Sequence, residues 1–400
     1  MFNFIFNREK FIETSNQLVV WTLIALSSGA VIGSIVAFFL ASLNFVTTFR
    51  TDHQWIILGL PLAGLLIGYS YYKWGGSASK GNLLLIESIR EPKVSIPFKM
   101  SGMILFSTLL THLFGGSAGR EGTAVQIGGA LTAQWNRLKQ FSVTEQRLLL
   151  YMGIAAGFSA VFGTPIAGTI FALELVFIRN YSFKAVIPCL LSAYVAYYTC
   201  ELWGITHTHY ALDLSVHYSL RTIGWIVVAS CLFGLTVRLF IYCTSFWKML
   251  FEKITFPPLR PMIGGSCIAL VIVLTGAYEY SGLGIPTIQK SFLQIAAPET
   301  FILKLLLTTL TISAGFKGGE VTPIFFIGAT LGSALSALFP IPTELLAGIG
   351  FMAIFAGASK TPIACTVMGM ELFGIQYGVF LALGCIIAYY ISGKKGIYTS

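Results

Sequence analysis

Gly115-Gly116-Ser117-Ala118-Gly119-Arg120-Glu121-Gly122-Thr123 places a glycine-rich loop with an arginine and a glutamate inside a very apolar chain, and an apolar helical run follows from Ala124. Ionised groups at membrane depth cost about 2.5–3.5 kcal/mol each on insertion scales, so a functional role is the first reading. Glycines let backbone N–H groups crowd together, and a helix starting beyond them aims its positive end into the loop. Together they make an anion site with a protonatable carboxylate in it. A turn whose charges lie among lipid headgroups is the alternative.

Similar loops recur. Gly81-Asn82, Gly319-Glu320-Val321-Thr322-Pro323 and the tail Gly393-Lys394-Lys395-Gly396-Ile397-Tyr398 each put a polar residue after glycine, at an expected helix start. Asn or Thr at a cap and Pro in a first turn mark N-termini. Where such ends converge, partial charges replace part of an anion's hydration shell without the trapping effect of a full charge, so the ion can both enter and leave.

The elements that position these loops are helices in a bilayer. Of the 400 residues, 56% are hydrophobic and only 10% charged, with mean hydropathy +0.79. That composition excludes a soluble protein. Apolar runs such as 17–43 and 223–244 are too long for barrel strands and suit spanning helices. The net charge of +9 is spread over short loops, so it records orientation rather than a nucleic-acid surface. Residues 204–220 carry no Lys or Arg before Leu220 and are expected outside. The seven cysteines are scattered without a Cys-x-x-Cys pair and read as small packing residues, with neither a disulfide framework nor a metal site. His207, His209 and His217 read as a solvated surface rather than a zinc site. The first apolar run is too long for a signal peptide, so the N-terminus is expected to be retained.

The chain also repeats itself. MGIAAGFSAVFGTPIAGTIFALEL at 152–175 and IGFMAIFAGASKTPIACTVMGMEL at 349–372 match at ten of 24 ungapped positions, 197 residues apart. The match includes Thr164-Pro165 with Thr361-Pro362 and Glu174 with Glu371. Upstream, Glu121-Gly122-Thr123 before Ile127-Gly128 is echoed by Glu320-Val321-Thr322-Pro323 before Ile327-Gly328. Repeated halves with interrupted helices meeting at mid-membrane are a transporter architecture. The fold class expected is therefore an all-α polytopic membrane protein of two repeated, inverted halves, 17–202 and 221–398, in one integrated domain spanning 1–400. Stretches 81–89, 124–135, 165–178, 286–297 and 362–373 are too short to cross upright and are expected to enter partway. Little chain follows Tyr398, so no soluble regulatory domain is expected.

These motifs resemble the CLC anion channels and transporters from about Gln17 to Tyr398. The family's glycine–basic–glutamate–glycine segment stands here as Gly119-Arg120-Glu121-Gly122, its second anion segment as Gly319–Pro323, and its pore tyrosine as Tyr398. The departures point to one branch. Gly81-Asn82-Leu83-Leu84-Leu85 replaces a serine segment, Thr123 replaces a proline, and Glu320 replaces a hydrophobic residue with Thr322 following. The inner proton-transfer glutamate falls at Leu175 and is missing. This set is similar to the bacterial fluoride/proton antiporters.

The resemblance implies a homodimer in the bacterial inner membrane, exchanging fluoride for protons, with no cofactor and no metal. It implies that Glu121 is a proton-coupled gate and Glu320 a second carboxylate for proton transfer or fluoride handling. Asn82, Gly122, Thr123, Val321, Thr322 and Tyr398 would bind the anion. Fluoride is small and strongly hydrated, so close donors such as the Asn82 amide and Thr322 hydroxyl suit it. Bland readings remain beside each: an Arg120–Glu121 ion pair, helix caps at Asn82 and Thr322, a paired structural acid at Glu320, and an interfacial tyrosine at Tyr398. Glu174 and Glu371 are expected to be helix-end structural acids. A chloride/proton exchanger or passive chloride channel on the same fold is the nearest alternative. A membrane-embedded enzyme is weaker, since no His-Glu-x-x-His motif is present.

Overall fold

The computed structural model describes residues 8–91, 94–176, 185–208, 210, 212 and 219–398. Among them the chain is helical throughout, with one isolated antiparallel bridge in place of any strand. The first half holds α1 (Arg8–Asp52), α2 (Leu60–Ser70), α3 (Asn82–Arg90), α4 (Lys99–Leu113), α5 (Glu121–Thr132), the single turn α6 (Trp135–Leu138), α7 (Val143–Phe162), α8 (Pro165–Leu175) and α9 (Val186–Leu202). The second holds α10 (Leu220–Glu252), α11 (Leu259–Thr275), α12 (Ile285–Leu293), α13 (Glu299–Ala314), α14 (Val321–Leu335), α15 (Thr343–Ser359), α16 (Pro362–Phe373) and α17 (Gly378–Ile391).

Packing repeats as the sequence does. α5 lies on α7 as α14 lies on α15; α4 meets α5 as α13 meets α14; α7 packs on α9 as α15 packs on α17. The closest of these contacts use glycine in both copies. A Cβ on Gly128 would collide with the Gly153 carbonyl, and one on Gly328 with that of Gly350. Small residues let helix backbones touch, which is how membrane helices gain packing energy where lipid removes the hydrophobic drive. α7 and α15 also end alike, in left-handed residues at Gly163 and Lys360 (φ 75° and 66°). The Lys360 conformation is held by its ammonium, which donates to Ser392 Oγ and the Gly393 carbonyl, both at 2.7 Å.

The two halves are antiparallel to one another where they meet. α8 and α16 each start with proline after a threonine, which fixes φ at a position whose N–H has no helical acceptor anyway. The next N–H groups are satisfied from across the repeat. Glu174, at the end of α8, accepts from Ile363 N–H (3.1 Å) and Ala364 N–H (2.7 Å) of α16. Glu371, at the end of α16, accepts from Ile166 N–H (3.1 Å) and Ala167 N–H (2.8 Å) of α8. The reciprocity requires equivalent helices to run in opposite directions, the relation of an inverted repeat. Both acids act as caps at helix ends, in agreement with the sequence reading.

Short helices dominate. Among the described residues, three helical stretches, 17–52, 54–90 and 220–252, are long and apolar enough to cross a bilayer, and seven shorter apolar helices are of 10–17 residues. The stretches expected to stop partway appear as α3, α5, α8, α12 and α16. One expected helix start is corrected: 393–398 forms turns, not a helix. Glycines at 393 and 396 break it, and Ile397 N–H donates instead to the Ala358 carbonyl at 2.8 Å, tying the tail to the end of α15. The histidine loop is corrected in part. His207 is half-buried, with Nε2 2.9 Å from the Ala160 carbonyl and its ring 5.6 Å from Tyr197, so it packs instead of facing solvent. His209 and His217 lie outside the described residues.

If the crossed caps hold the halves together, Glu174→Ala and Glu371→Ala should destabilise the folded protein by similar amounts. About 1.5–3 kcal/mol each is expected for hydrogen bonds to a charged carboxylate. Thermal melts in detergent that leave either variant unchanged would refute the assignment.

Candidate anion site

The two loops that precede α5 and α14 are joined backbone to backbone. Gly119 N–H donates to the Gly319 carbonyl (2.5 Å), and Gly319 N–H to the Gly119 carbonyl (2.7 Å). These equivalent residues form the one isolated bridge. No side chain fits there: a Cβ on Gly319 would lie 2.7 Å from Gly122 N, and one on Gly119 would lie 3.0 Å from the Gly319 carbonyl oxygen. Two helix N-termini are thereby set against each other, each with first-turn N–H groups that have no acceptor inside the helix.

Glu121 fills the space between them. Its side chain is 1% exposed. One carboxylate oxygen accepts from Arg120 N–H (3.0 Å) and from Thr322 N–H (3.1 Å); the other accepts from the Thr322 hydroxyl. Arg120 Nε stands 3.8 Å from the carboxylate. The carboxylate oxygens therefore occupy the donors that the two helix ends present. This geometry includes the Arg120 pairing of the bland reading, but the shorter contacts are to the Arg120 and Thr322 N–H groups and the Thr322 hydroxyl.

Asn82, at the first position of α3, belongs to the same cluster. Its amide nitrogen is 3.0 Å from where a Gly122 Cβ would be, and its Oδ1 is buried without a protein partner. Glu320 precedes α14 as its N-cap residue but makes no side-chain cap bond, and its Oε2 is likewise buried and unpartnered. Buried polar atoms without hydrogen-bond partners are uncommon, and here three belong to residues of these loops (Asn82 Oδ1, Glu320 Oε2, Arg120 Nε). Val321 is buried at the start of α14, and Gly122 is buried within the first turn of α5.

Thr123 contributes differently from its neighbours. Its hydroxyl bonds Thr108 of α4 at 2.7 Å and is not among the partners of the carboxylate. Tyr398 is buried, with its ring edge-on to Phe171 of α8 at 6.2 Å, and makes no hydrogen bond to Glu121. It reaches inward from the tail anchored on α15. A cavity of ≈ 30 Å³ beside Glu121 is lined by Arg120, Phe162, Tyr210, Thr322 and Phe325 among others, room for about one small ion or water. Phe325 stacks on Phe351 at 3.9 Å and closes its floor.

Sequence reasoning missed the polar seam behind the site. Thr108, Thr111 and His112 on α4 face Lys304, Thr308 and Thr311 on α13, all fully buried. Ser117 joins them, its hydroxyl 2.9 Å from that of Thr308 and its N–H 3.3 Å from that of Thr311. Lys304 Nζ donates to the Tyr280 (2.9 Å) and Gly282 (2.6 Å) carbonyls and lies 5.1 Å from the Phe326 ring. Polar residues at helical i, i+3, i+4 spacing within apolar runs were the available signal.

The chain matches the family model for voltage gated chloride channels over residues 63–393. It is 42% identical to a chloride/fluoride channel protein of Pseudomonas syringae pv. tomato, over 98% of this chain and 88% of that protein. The crystal structure of a CLC-type fluoride/proton antiporter superposes with a TM-score of 0.91 at 37% identity, covering 95% of this chain and 97% of that one. A slow cyanobacterial Cl⁻/H⁺ antiporter superposes with a TM-score of 0.84 at 20% identity, over 94% and 96% of the two chains, a likeness of fold.

Gly319→Ala tests the loop pairing. The added Cβ must push Gly122 N away, so anion flux in liposomes should fall at least about tenfold while the protein still elutes as a folded species. Separation of helix termini by under an ångström is enough for that loss when donors are preorganised. Normal flux would show that the bridge does not set the site.

Proposed function

Since the chain belongs to the CLC family, a membrane-embedded family of anion channels and antiporters rather than enzymes, we propose that it is a fluoride/proton antiporter that exports cytoplasmic fluoride. Its likeness to the fluoride/proton antiporter structure and to the chloride/fluoride relative supports fluoride as substrate. The observation that carries the mechanism is the Glu121 carboxylate seated between the N-termini of α5 and α14.

Ionised, Glu121 competes with the anion for Thr322 N–H, the Thr322 hydroxyl and Arg120 N–H. Protonated, it loses the charge that those donors favour and yields the place to fluoride. One group thus carries the proton and vacates the site, which couples the two fluxes. Asn82 and Thr322 add close donors for a small, strongly hydrated ion, and the first-turn N–H groups of Gly122, Thr123 and Val321 supply partial positive charge. Glu320 acts as the second proton carrier next to the site, taking the place of the acid missing at Leu175. Tyr398 bounds the path from the tail side.

The halves 17–202 and 221–398 work as one transmembrane unit, and the protein acts as a homodimer in the bacterial inner membrane. Export serves the cell because HF crosses lipid unaided and ionises inside, where fluoride would otherwise accumulate. The relative's printed name, a chloride/fluoride channel, keeps chloride transport on the same fold as the second reading.

Proteoliposomes monitored by fluoride- and chloride-sensitive electrodes distinguish the two. An imposed proton gradient should drive fluoride uphill. Glu121→Gln should abolish that coupling, and Asn82→Ser should lower fluoride preference over chloride by about tenfold, the worth of one charge-assisted hydrogen bond. Coupled exchange that survives Glu121→Gln overturns the gate; equal chloride and fluoride flux overturns the substrate.

A further inference from the structure

The end of α1 carries a buried cation that the transport reading does not use. Arg50 is 7% exposed. Its Nη1 donates to the His112 carbonyl at 3.0 Å, whereas Nε and Nη2 have no protein acceptor among the described residues. The guanidinium lies flat on Gly282, a residue at φ +59° where any Cβ would strike it. Lys304 ties the same turn through the Tyr280 and Gly282 carbonyls. Two neighbouring cations are therefore built into one place, and among the described residues neither has a carboxylate within ion-pair distance. Unpaired buried charge is costly, which points to a ligand.

A cavity of ≈ 280 Å³ opens on Arg50 and is lined also by Thr51, Gln54, Tyr278, Glu279 and Ser281. α1 runs parallel to α9, since Gly29 meets Ser192 and Val195 while Gly33 meets Ala196. The cavity is therefore on the membrane face of residues 204–208. Its rim carries the exposed rings of Phe49 and Trp55, the amphipathic belt that marks headgroup depth. The free Nε and Nη2 edge of Arg50 matches two oxygens of a phosphate. Glu279 and the face of Tyr278 suit an ammonium a few ångströms further on.

We propose that this cavity holds the headgroup of a zwitterionic phospholipid of the phosphoethanolamine class, its phosphate on Arg50 and its ammonium by Glu279. A lone phosphate would meet Glu279 as a like charge, and a purely anionic headgroup would leave Glu279 unpaired. Both signs of charge on the wall are used only by a ligand that carries both. The headgroup completes the charge balance of Arg50 and Lys304 and braces the end of α4, whose His112 carbonyl Arg50 holds.

The test is lipid retention, so it stands or falls apart from the identity of the transported ion. Native mass spectrometry of the purified full chain in detergent, titrated with phosphatidylethanolamine or phosphatidylglycerol, should show preferential retention of the former. Glu279→Gln, a surface change, should leave the fold intact and reduce that preference roughly three- to tenfold. Arg50→Met should weaken retention of both lipids by roughly tenfold or more. Equal retention of the two lipids by the unmodified protein overturns the proposal, as does a preference unmoved in Glu279→Gln. Displacement of the lipid by inorganic phosphate alone at matching concentration would make a free anion the ligand and likewise overturn it.

Discussion

The two hydrogen bonds between Gly119 and Gly319 are the constraint on which the rest depends. Each comes from a loop that leads into a buried helix, and the pair fixes how closely the tips of α5 and α14 approach. Backbone amides are short and cannot reorient as side chains do, so the site's donors are positioned before any ion arrives. Preorganised dipoles of this kind stabilise charge without a reorganisation penalty. The crossed caps from Glu174 and Glu371 do the same for α8 and α16 on the far side of the repeat, again by one half completing the helix ends of the other. Neither half could satisfy its own interrupted helices in lipid, where water is not there to do it.

Full charges are placed with the same economy. The cluster around Glu121 has one cation close to it, Arg120, at 3.8 Å, and its shorter contacts are all to N–H and O–H dipoles. Lys304 is fully buried yet is spent on two carbonyls and the Phe326 ring, behind the site rather than in it. A bare ammonium at the centre would bind an anion too tightly to release it, whereas in the proposed site dipoles and a distant cation would allow both entry and exit. The conditions for turnover and for membrane stability then coincide, because backbone-satisfied charges are also those least costly to bury.

Much of this was legible in the residues. Gly-x-Glu-Gly before an apolar run, repeated with Glu320 and Thr322 about half a chain later, marks two helix tips because glycine and cap residues have few other uses in such a place. Thr164-Pro165 and Thr361-Pro362 fix the starts of α8 and α16 by the same logic, and the recurring Glu174 and Glu371 read correctly as helix-end acids. Three features were not legible. The tail 393–398 has the same glycine-polar pattern as the true helix starts, but its Ile397 N–H pairs with the Ala358 carbonyl of α15, a contact outside its local sequence. His207 looked solvated because its loop is polar, whereas tertiary packing lodges it on Ala160. Arg50 and Lys304 carry no local sign of burial, which comes from the turn 280–282 packing on both of them.

That last case shows where local pattern runs out in an inverted repeat. Within one half, periodicity says which face of a helix is apolar, but the partner of that face is supplied by a segment some 200 residues away running in the opposite direction. Thr308 and Thr311 illustrate it: each would be a poor choice on a lipid-facing helix, and each is met by Ser117, more than 190 residues away, whereas Thr108 is satisfied within its own half by Thr123. Their spacing in the sequence signals a polar stripe. That the stripe faces its own repeat, and not a pore or another subunit, follows from the pairing of Gly119 with Gly319, which sets the two copies in register.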